Sequence, residues 1–190
     1  MSSAPSNVGT AGRRIFIGKL AGTSVFDPLG EKVGVIHDVV VTFRLNSTAN
    51  VIGFVVEVGP RKRVFLPFTR VTAIEAGSVI TTGLLNIRSF TQRPVETLVI
   101  TELFDREVTM NDGSGTVKIL DVAMQQRRPR DWIISTLHVQ RIRTTTLGFK
   151  RGGTTMTVGV DEVSSLLKTD SNQAATALIQ QTEDMKPADL

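Results

Sequence analysis

The chain has 190 residues, a net charge of +4 and a hydrophobic content of 41%, enough for one domain or two small ones with a packed interior. It holds no cysteine, no tyrosine and one tryptophan, which excludes disulfides, thiolate metal sites and a cysteine nucleophile and leaves the packing to aliphatic side chains. The charge is uneven: residues 161–190 carry six acids against two lysines, leaving +8 on residues 1–160 and pointing to an anionic partner for that body.

The opening MSSAPSNVGTAGRR lacks the apolar stretch of a signal peptide and reads as a disordered tail over 1–13. No apolar run approaches the roughly 20 residues of a membrane-spanning helix, so a cytoplasmic protein is expected. DPLG at 27–30 is a turn, with Pro28 fixing its own φ and Gly30 free to take a positive one. From Val39 to Asn46 apolar and polar residues alternate with a period of two, which predicts a strand with one buried face. NSTAN turns the chain into VIGFVVEV at 51–58, an apolar strand. GPRKR at 59–63 turns it again into VFLPF, where Pro67 implies a sheet edge or bulge. VTAI and SVITT, separated by EAGS, predict a hairpin.

A similar plan returns later. Leu20, Val25, Gly30, Ile36, Asp38 and Val39 match Leu103, Val108, Gly113, Ile119, Asp121 and Val122 at one constant offset of 83 residues. NDGSG at 111–115 is then the second turn, TVKILDVAM its long strand and DWIISTLHV its apolar strand. The return QRIRTTTLGFKRGG reads as a long loop before TTMTVGV. The expected fold is mainly β: two small β-barrels in tandem followed by short C-terminal α-helices. DEVSSLLK at 161–168 and SNQAATALIQQTEDM at 171–185 have helical spacing. KPADL starts a third helix one turn before Leu190, which reads as a truncated element.

LAGTSVFDPLGEKVGVIHDVVV, followed by VIGFVVEV and RVFLPFTRVTAI, resembles the PRC-barrel, a small β-barrel found in the photosynthetic reaction centre H subunit and in the ribosome maturation factor RimM. Residues 103–163 resemble a second, more divergent PRC-barrel, and ALIQQTEDMKPADL resembles the start of the N-terminal helical domain of MgtE magnesium transporters. This order is similar to that of actinobacterial proteins with two PRC-barrels, an MgtE-type N domain and CBS domains. The resemblance implies a first PRC-barrel over 14–84, a connector over 85–96, a second barrel with its terminal helix over 97–168 and the start of an MgtE-type domain over 169–190.

Enzymatic ingredients are sparse. His37 and His138 sit in predicted strands without a nucleophile arranged around them, and there is no GxSxG, P-loop, HExxH or GxGxxG. They read as polar residues on a solvated face. Asp38 and Asp121, one per repeat, supply too few oxygens for a hard cation and read as carboxylates accepting backbone N–H bonds near a bend. No catalytic residue, metal ligand or cofactor site is assigned within the chain. The resemblance places any Mg2+ or nucleotide sensing in a region beyond Leu190.

Three basic clusters are the partner-binding candidates: Arg61, Lys62 and Arg63 in one turn, Arg127, Arg128 and Arg130 in another, and Arg141, Arg143, Lys150 and Arg151 along the long return. The competing reading is that they are solvated edge charges, with Trp132 buried in a barrel. The first functional expectation is a non-catalytic regulatory or adaptor protein that docks a protein partner, linked by resemblance to magnesium homeostasis or transporter regulation. Its partner would be a membrane transporter or a membrane-associated complex, the adaptor lying peripheral to the inner membrane, with homo-oligomerisation open. Such an adaptor is expected to expose an apolar patch. The alternative is an RNA- or ribosome-associated factor that uses its basic loops.

Overall fold

Valine-rich runs with a period of two form strands, and the chain turns at its glycine- and proline-bearing segments. The computed structural model describes residues 12–43, 49–83, 88–144, 150–164 and 166, in which twelve strands share one hydrogen-bonded network. The first half contributes β1 (Arg14–Phe16), β2 (Ser24–Phe26), β3 (Lys32–Thr42), β4 (Asn50–Glu57), β5 (Arg63–Pro67), β6 (Val71–Glu75) and β7 (Ser78–Thr81). The second contributes β8 (Glu96–Leu98), β9 (Glu107–Thr109), β10 (Thr116–Arg128), β11 (Asp131–Thr144) and β12 (Lys150–Gly159). Short 3-10 turns follow β1, β5 and β12, and a π-type turn at Val99–Leu103 follows β8.

The main path runs β1-β10-β11-β4-β3-β2-β7-β6, with β12 on β11, β5 on β4, β8 on β3 and β9 on β10. Every pairing is antiparallel except β2 with β7. In the first half the sheet curls, and the β6–β7 hairpin docks on β2. Pro67 faces Gly53 at the end of β5, a strand whose only ladder among the described residues is to β4.

The two halves share a register. Each of the seven residue pairs between β3 and β4 recurs 83 residues later between β10 and β11, from Val35 opposite Glu57 to Thr42 opposite Asn50. Both bulges recur as well, at His37 and Leu120 on one strand and at Ile52 and Ser135 on the other. The turns match in kind: Gly30 (φ 85°) donates its N–H to Asp27 at 3.1 Å, and Gly113 (φ 75°) donates to Met110 at 3.2 Å.

The halves also exchange pieces. β1 pairs with β10 of the second half, and β8 pairs with β3 of the first. Asp38 is fully buried and accepts the N–H groups of Val39, Ile100 and Thr101 at 2.7, 2.8 and 2.9 Å, and the Thr101 hydroxyl at 2.7 Å. Asp121, 83 residues on, accepts the N–H of Val122 at 2.7 Å and reaches back to that of Gly18 at 2.9 Å. Gly18 and Thr101 are also 83 apart. A Cβ at Gly18 would collide with the Asp121 carboxylate, so the approach requires glycine. The local role expected of these aspartates is therefore only part of their work: each carboxylate also fastens one half to the other.

Side chains of both halves form one core, including Ile36, Val39, Phe54 and Leu66 with Ile119, Val122, Ile134 and Leu137. Burial of each such side chain contributes about 1.5–3 kcal/mol. Phe68 bridges the two regions, its ring 5.3 Å from Phe54 and 5.8 Å from Trp132.

Three expectations change. Instead of two separately closed barrels joined by a connector, the hydrogen bonding is continuous across both halves, because the leading strands are exchanged. The return at 140–153 is not a long loop: β11 runs to Thr144 and β12 starts at Lys150, with β-branched Ile and Thr carrying the ladder. DEVSSLLK does not begin as an α-helix: Val160–Glu162 makes one 3-10 turn and Val163 bridges Met110 in extended backbone. The Asn111 side chain holds this segment, donating to the carbonyls of Asp161 and Val163. Of the expected tail over 1–13, residues 1–11 lie outside the described residues, as do the expected helices over 171–185 and 186–190, while the Arg13 carbonyl accepts the Gln126 N–H at 2.9 Å, so that Arg13 belongs to the fold.

Candidate functional site

Arginines gather where a hairpin turn meets the connector. The β4–β5 turn places Arg61 and Lys62 in solvent and gives Arg63 the first position of β5. Arg61 adopts φ 60°, a left-handed conformation that costs a side-chain-bearing residue about 1 kcal/mol or more. Next to it the connector runs antiparallel to β5: Ser89 bridges Val64, and the Phe90 N–H donates to the Arg63 carbonyl at 2.7 Å. The Phe90 ring stacks on Phe65, centroids 6.1 Å apart and planes at 27°. Phe65 lies so close to Gly53 that a Cβ there would run into its ring and the Leu66 carbonyl. The bare backbone of Gly53 thus lets the Phe65 ring settle against the sheet.

Two adjoining clefts open around this aromatic pair. One, of about 300 Å³, is lined by Phe65, Phe90, Arg70, Arg88, Arg93 and Glu96 among others; the second, of about 460 Å³, by Arg61, Arg63, Glu57, Ser89 and Phe90. Ser89 and Phe90 belong to both. Five arginines and two carboxylates therefore border one aromatic ridge, with Arg63 Nε 3.7 Å from Glu57 and Arg93 Nε 3.7 Å from Glu96. Glu96 is the buried member and also accepts the Arg93 N–H at 2.9 Å. The net charge of the rim is positive, and its arginines offer planar forks suited to carboxylates and phosphates.

The other basic candidates lie elsewhere. Arg127 and Arg128 end β10, with Arg127 Nε 2.9 Å from Asp131. Arg130 takes the β10–β11 turn at φ 62° and, with Arg13, borders a separate cleft of about 410 Å³ floored by Phe68, Ile74 and Trp132. Trp132 is buried, in agreement with the packing reading. Arg141 and Arg143 lie on β11 and Arg151 on β12, so strands rather than a loop carry them. Arg141 Nη1 donates to the Ser114 carbonyl at 3.0 Å and braces the 111–115 turn. The Asp112 carboxyl in that turn is held below its ordinary value by the Ser114 hydroxyl, then by the Ser114 N–H, with a smaller pull from Arg141. Arg143 stands opposite Arg151. Lys150 opens β12, and its side chain lies outside the described residues.

Only Arg61 and Arg63 among the expected residues enter the aromatic cleft. Arg70, Arg88, Arg93, Phe65 and Phe90 were missed, although the connector string RSFTQR shows aromatic and basic residues side by side. His37 sits half-buried at a bulge and His138 opposite Asp121 in the register. Among the described residues no group of three or more His, Asp or Glu side chains could hold a metal, and no helix is long and apolar enough to cross a membrane. Among the described residues the apolar patch expected on one barrel is replaced by single exposures, Leu29 at 86% and Val95 at 68%, on separate turns, which counts against an apolar docking face.

Comparison with known proteins divides the chain at the connector. Residues 13–84 match the PRC-barrel domain, and residues 97–169 match the Actinomycetes SH3 domain rather than a second PRC-barrel. No curated protein matches the chain at a significant level. An SH3-type assignment suits a half built from β9, β10, β11 and β12, which lacks, among the described residues, a counterpart of the β6–β7 hairpin. The first part of the chain is thus similar to a PRC-barrel domain and the second to an Actinomycetes SH3 domain.

Proposed function

We propose that the chain is a non-catalytic adaptor that docks an acidic segment of a protein partner in the cleft between β5 and the connector. The observation that carries this reading is the five-arginine rim around the Phe65–Phe90 stack, seated on the sheet through Gly53. Recognition built on a turn and a connector, held by a rigid sheet, demands no chemistry of the protein. Glu57 and Glu96 in the lining favour a protein segment of mixed character over a continuous phosphate backbone, which they would repel.

On this reading the recurring register descends from a duplicated barrel whose second copy diverged to the SH3 type. The resemblance of 177–190 to the opening of MgtE-type helical domains suggests the class of partner: a cytoplasmic adaptor, peripheral to the membrane, that serves magnesium homeostasis or transporter regulation. Mg2+ or nucleotide sensing would belong to helical and CBS-type domains of such an assembly.

RNA binding is the second reading, favoured by half-exposed phenylalanines among arginines, a combination that stacks bases. Affinity capture with the full chain and with Arg61→Glu/Arg63→Glu, from detergent-solubilised lysate with and without nuclease, separates the two. The adaptor reading expects a protein retained by the wild type after nuclease treatment and lost with the double variant. Capture of ribosomal proteins that vanishes with nuclease would replace it with the RNA reading.

A further inference from the structure

Where the two halves meet, the cleft bordered by Arg13 and Arg130 combines an apolar floor with an unbalanced positive rim. Phe68 and Ile74 of the first half and Trp132 of the second are buried residues that floor it. It shares no lining residue with the clefts around Phe65 and Phe90, and no carboxylate lines it, whereas Glu57 and Glu96 line those. Among the described residues neither Arg13 nor Arg130 has a carboxylate partner, and the neighbouring Asp131 is held by Arg127 at 2.9 Å.

The backbone fixes both arginines at the rim. The Arg13 carbonyl accepts the Gln126 N–H at 2.9 Å, and a Cβ on Gly12 would run into the Gln126 carbonyl, so the chain is seated tightly against β10. Pro129 and Arg130 form the two-residue β10–β11 turn, with Arg128 facing Asp131 across it. Arg130 takes the second place at φ 62°, which glycine would fill without strain. A cation held at a strained position beside an apolar cleft points to a use for its side chain.

We propose that this cleft binds a carboxylate carried on a small apolar body, the body resting on Phe68, Ile74 and Trp132 and the carboxylate taken by Arg13 and Arg130. The volume of about 410 Å³ lies within the roughly 300–1,000 Å³ of small-ligand sites, which are mostly apolar with a few polar anchors. A planar guanidinium matches a carboxylate fork to fork. A singly charged carboxylate also loses less hydration over an apolar floor than a phosphate dianion would. A free acid and the C-terminal residue of a peptide both offer this chemistry. The site is independent of the adaptor reading, whose residues line the other clefts.

Trp132 is the one tryptophan of the chain, so its indole N–H gives a single NMR resonance that reports on the cleft. The full chain is titrated with phenylacetate, phenylacetamide, inorganic phosphate and acetyl-Gly-Gly-Phe. Phenylacetate should shift that resonance saturably, and the amide, which lacks the charge, should bind roughly tenfold more weakly. Arg130→Gly, which relieves the turn, and Arg13→Gln should each weaken phenylacetate binding about threefold to tenfold. Tighter binding of the peptide acid than of phenylacetate assigns the carboxylate to a chain end, and weaker binding assigns it to a free acid. The absence of a saturable shift up to the solubility of the probes overturns the proposal. Acid and amide that bind alike, or phosphate that binds as tightly as the acid, overturn it as well. So does an affinity for phenylacetate that neither arginine substitution changes.

Discussion

The first half finishes its sheet with a hairpin and covers the outer edge of β5 with the connector, whereas the second extends two strands of 14 and 10 residues, the last of which, among the described residues, pairs with β11 alone. Both start from one register, down to the positions of their bulges. The difference begins only after the shared pair of long strands. The central pair holds the core and the contact between halves, so its pattern is constrained from both sides. The return strands lie at the periphery and are free to acquire separate uses.

The largest test compares Phe54→Ala with Leu137→Ala, two fully buried residues 83 positions apart. Each should cost about 2–5 kcal/mol. Since the halves share a sheet and a core, both should lower one common unfolding transition in a denaturant melt followed by fluorescence and circular dichroism. Two transitions, only one of which moves with each variant, would restore the picture of independent barrels.

Asp38→Ala and Asp121→Ala refine the comparison. Asp38 leaves four donors unserved at a fully buried site, an effect of about 2–4 kcal/mol; half-buried Asp121 leaves two, for about 1 kcal/mol. Equal losses in a urea titration would show that the two fastenings are energetically alike despite their burial.

How far the sequence reached can be judged on particular residues. The long strands and the turns at Gly30 and Gly113 were legible because period-two patterning and turn glycines act locally. The aromatic cleft was not, since Ser89 and Phe90 join β5 through a tertiary bridge that no local pattern announces. The Thr- and Gly-rich return at 140–153 looked like a loop because neither of its faces is strongly apolar. Val163 and Leu166 suited a helix by spacing, yet Val163 is held extended by its bridge to Met110 and by Asn111. Asp38 and Asp121 announced themselves by recurrence, but recurrence cannot say that a carboxylate serves the opposite half.

Arg61→Gly separates stability from recognition. Relieving the left-handed arginine should raise stability by roughly 0.5–1 kcal/mol while weakening capture of the partner. A variant that is stabilised and binds unchanged would remove Arg61 from the site. The smallest effect concerns the second half's turn. The Asp112 carboxyl is held low in the folded state, so its contribution is present above the ordinary aspartate value and fades as pH falls through the lowered one. An NMR titration should show the Ser114 amide shifting only in that acid range, and Ser114→Ala should move the midpoint upward.

The exchange of β1 and β8 also bears on inheritance. A domain that keeps all its strands can be transplanted between genes as a cassette. Here each half completes its sheet with a strand encoded with the other, so a recombination break at the connector would strand both. The exchange therefore favours transmission of the pair as one unit, with substitutions on either side of the seam accepted together.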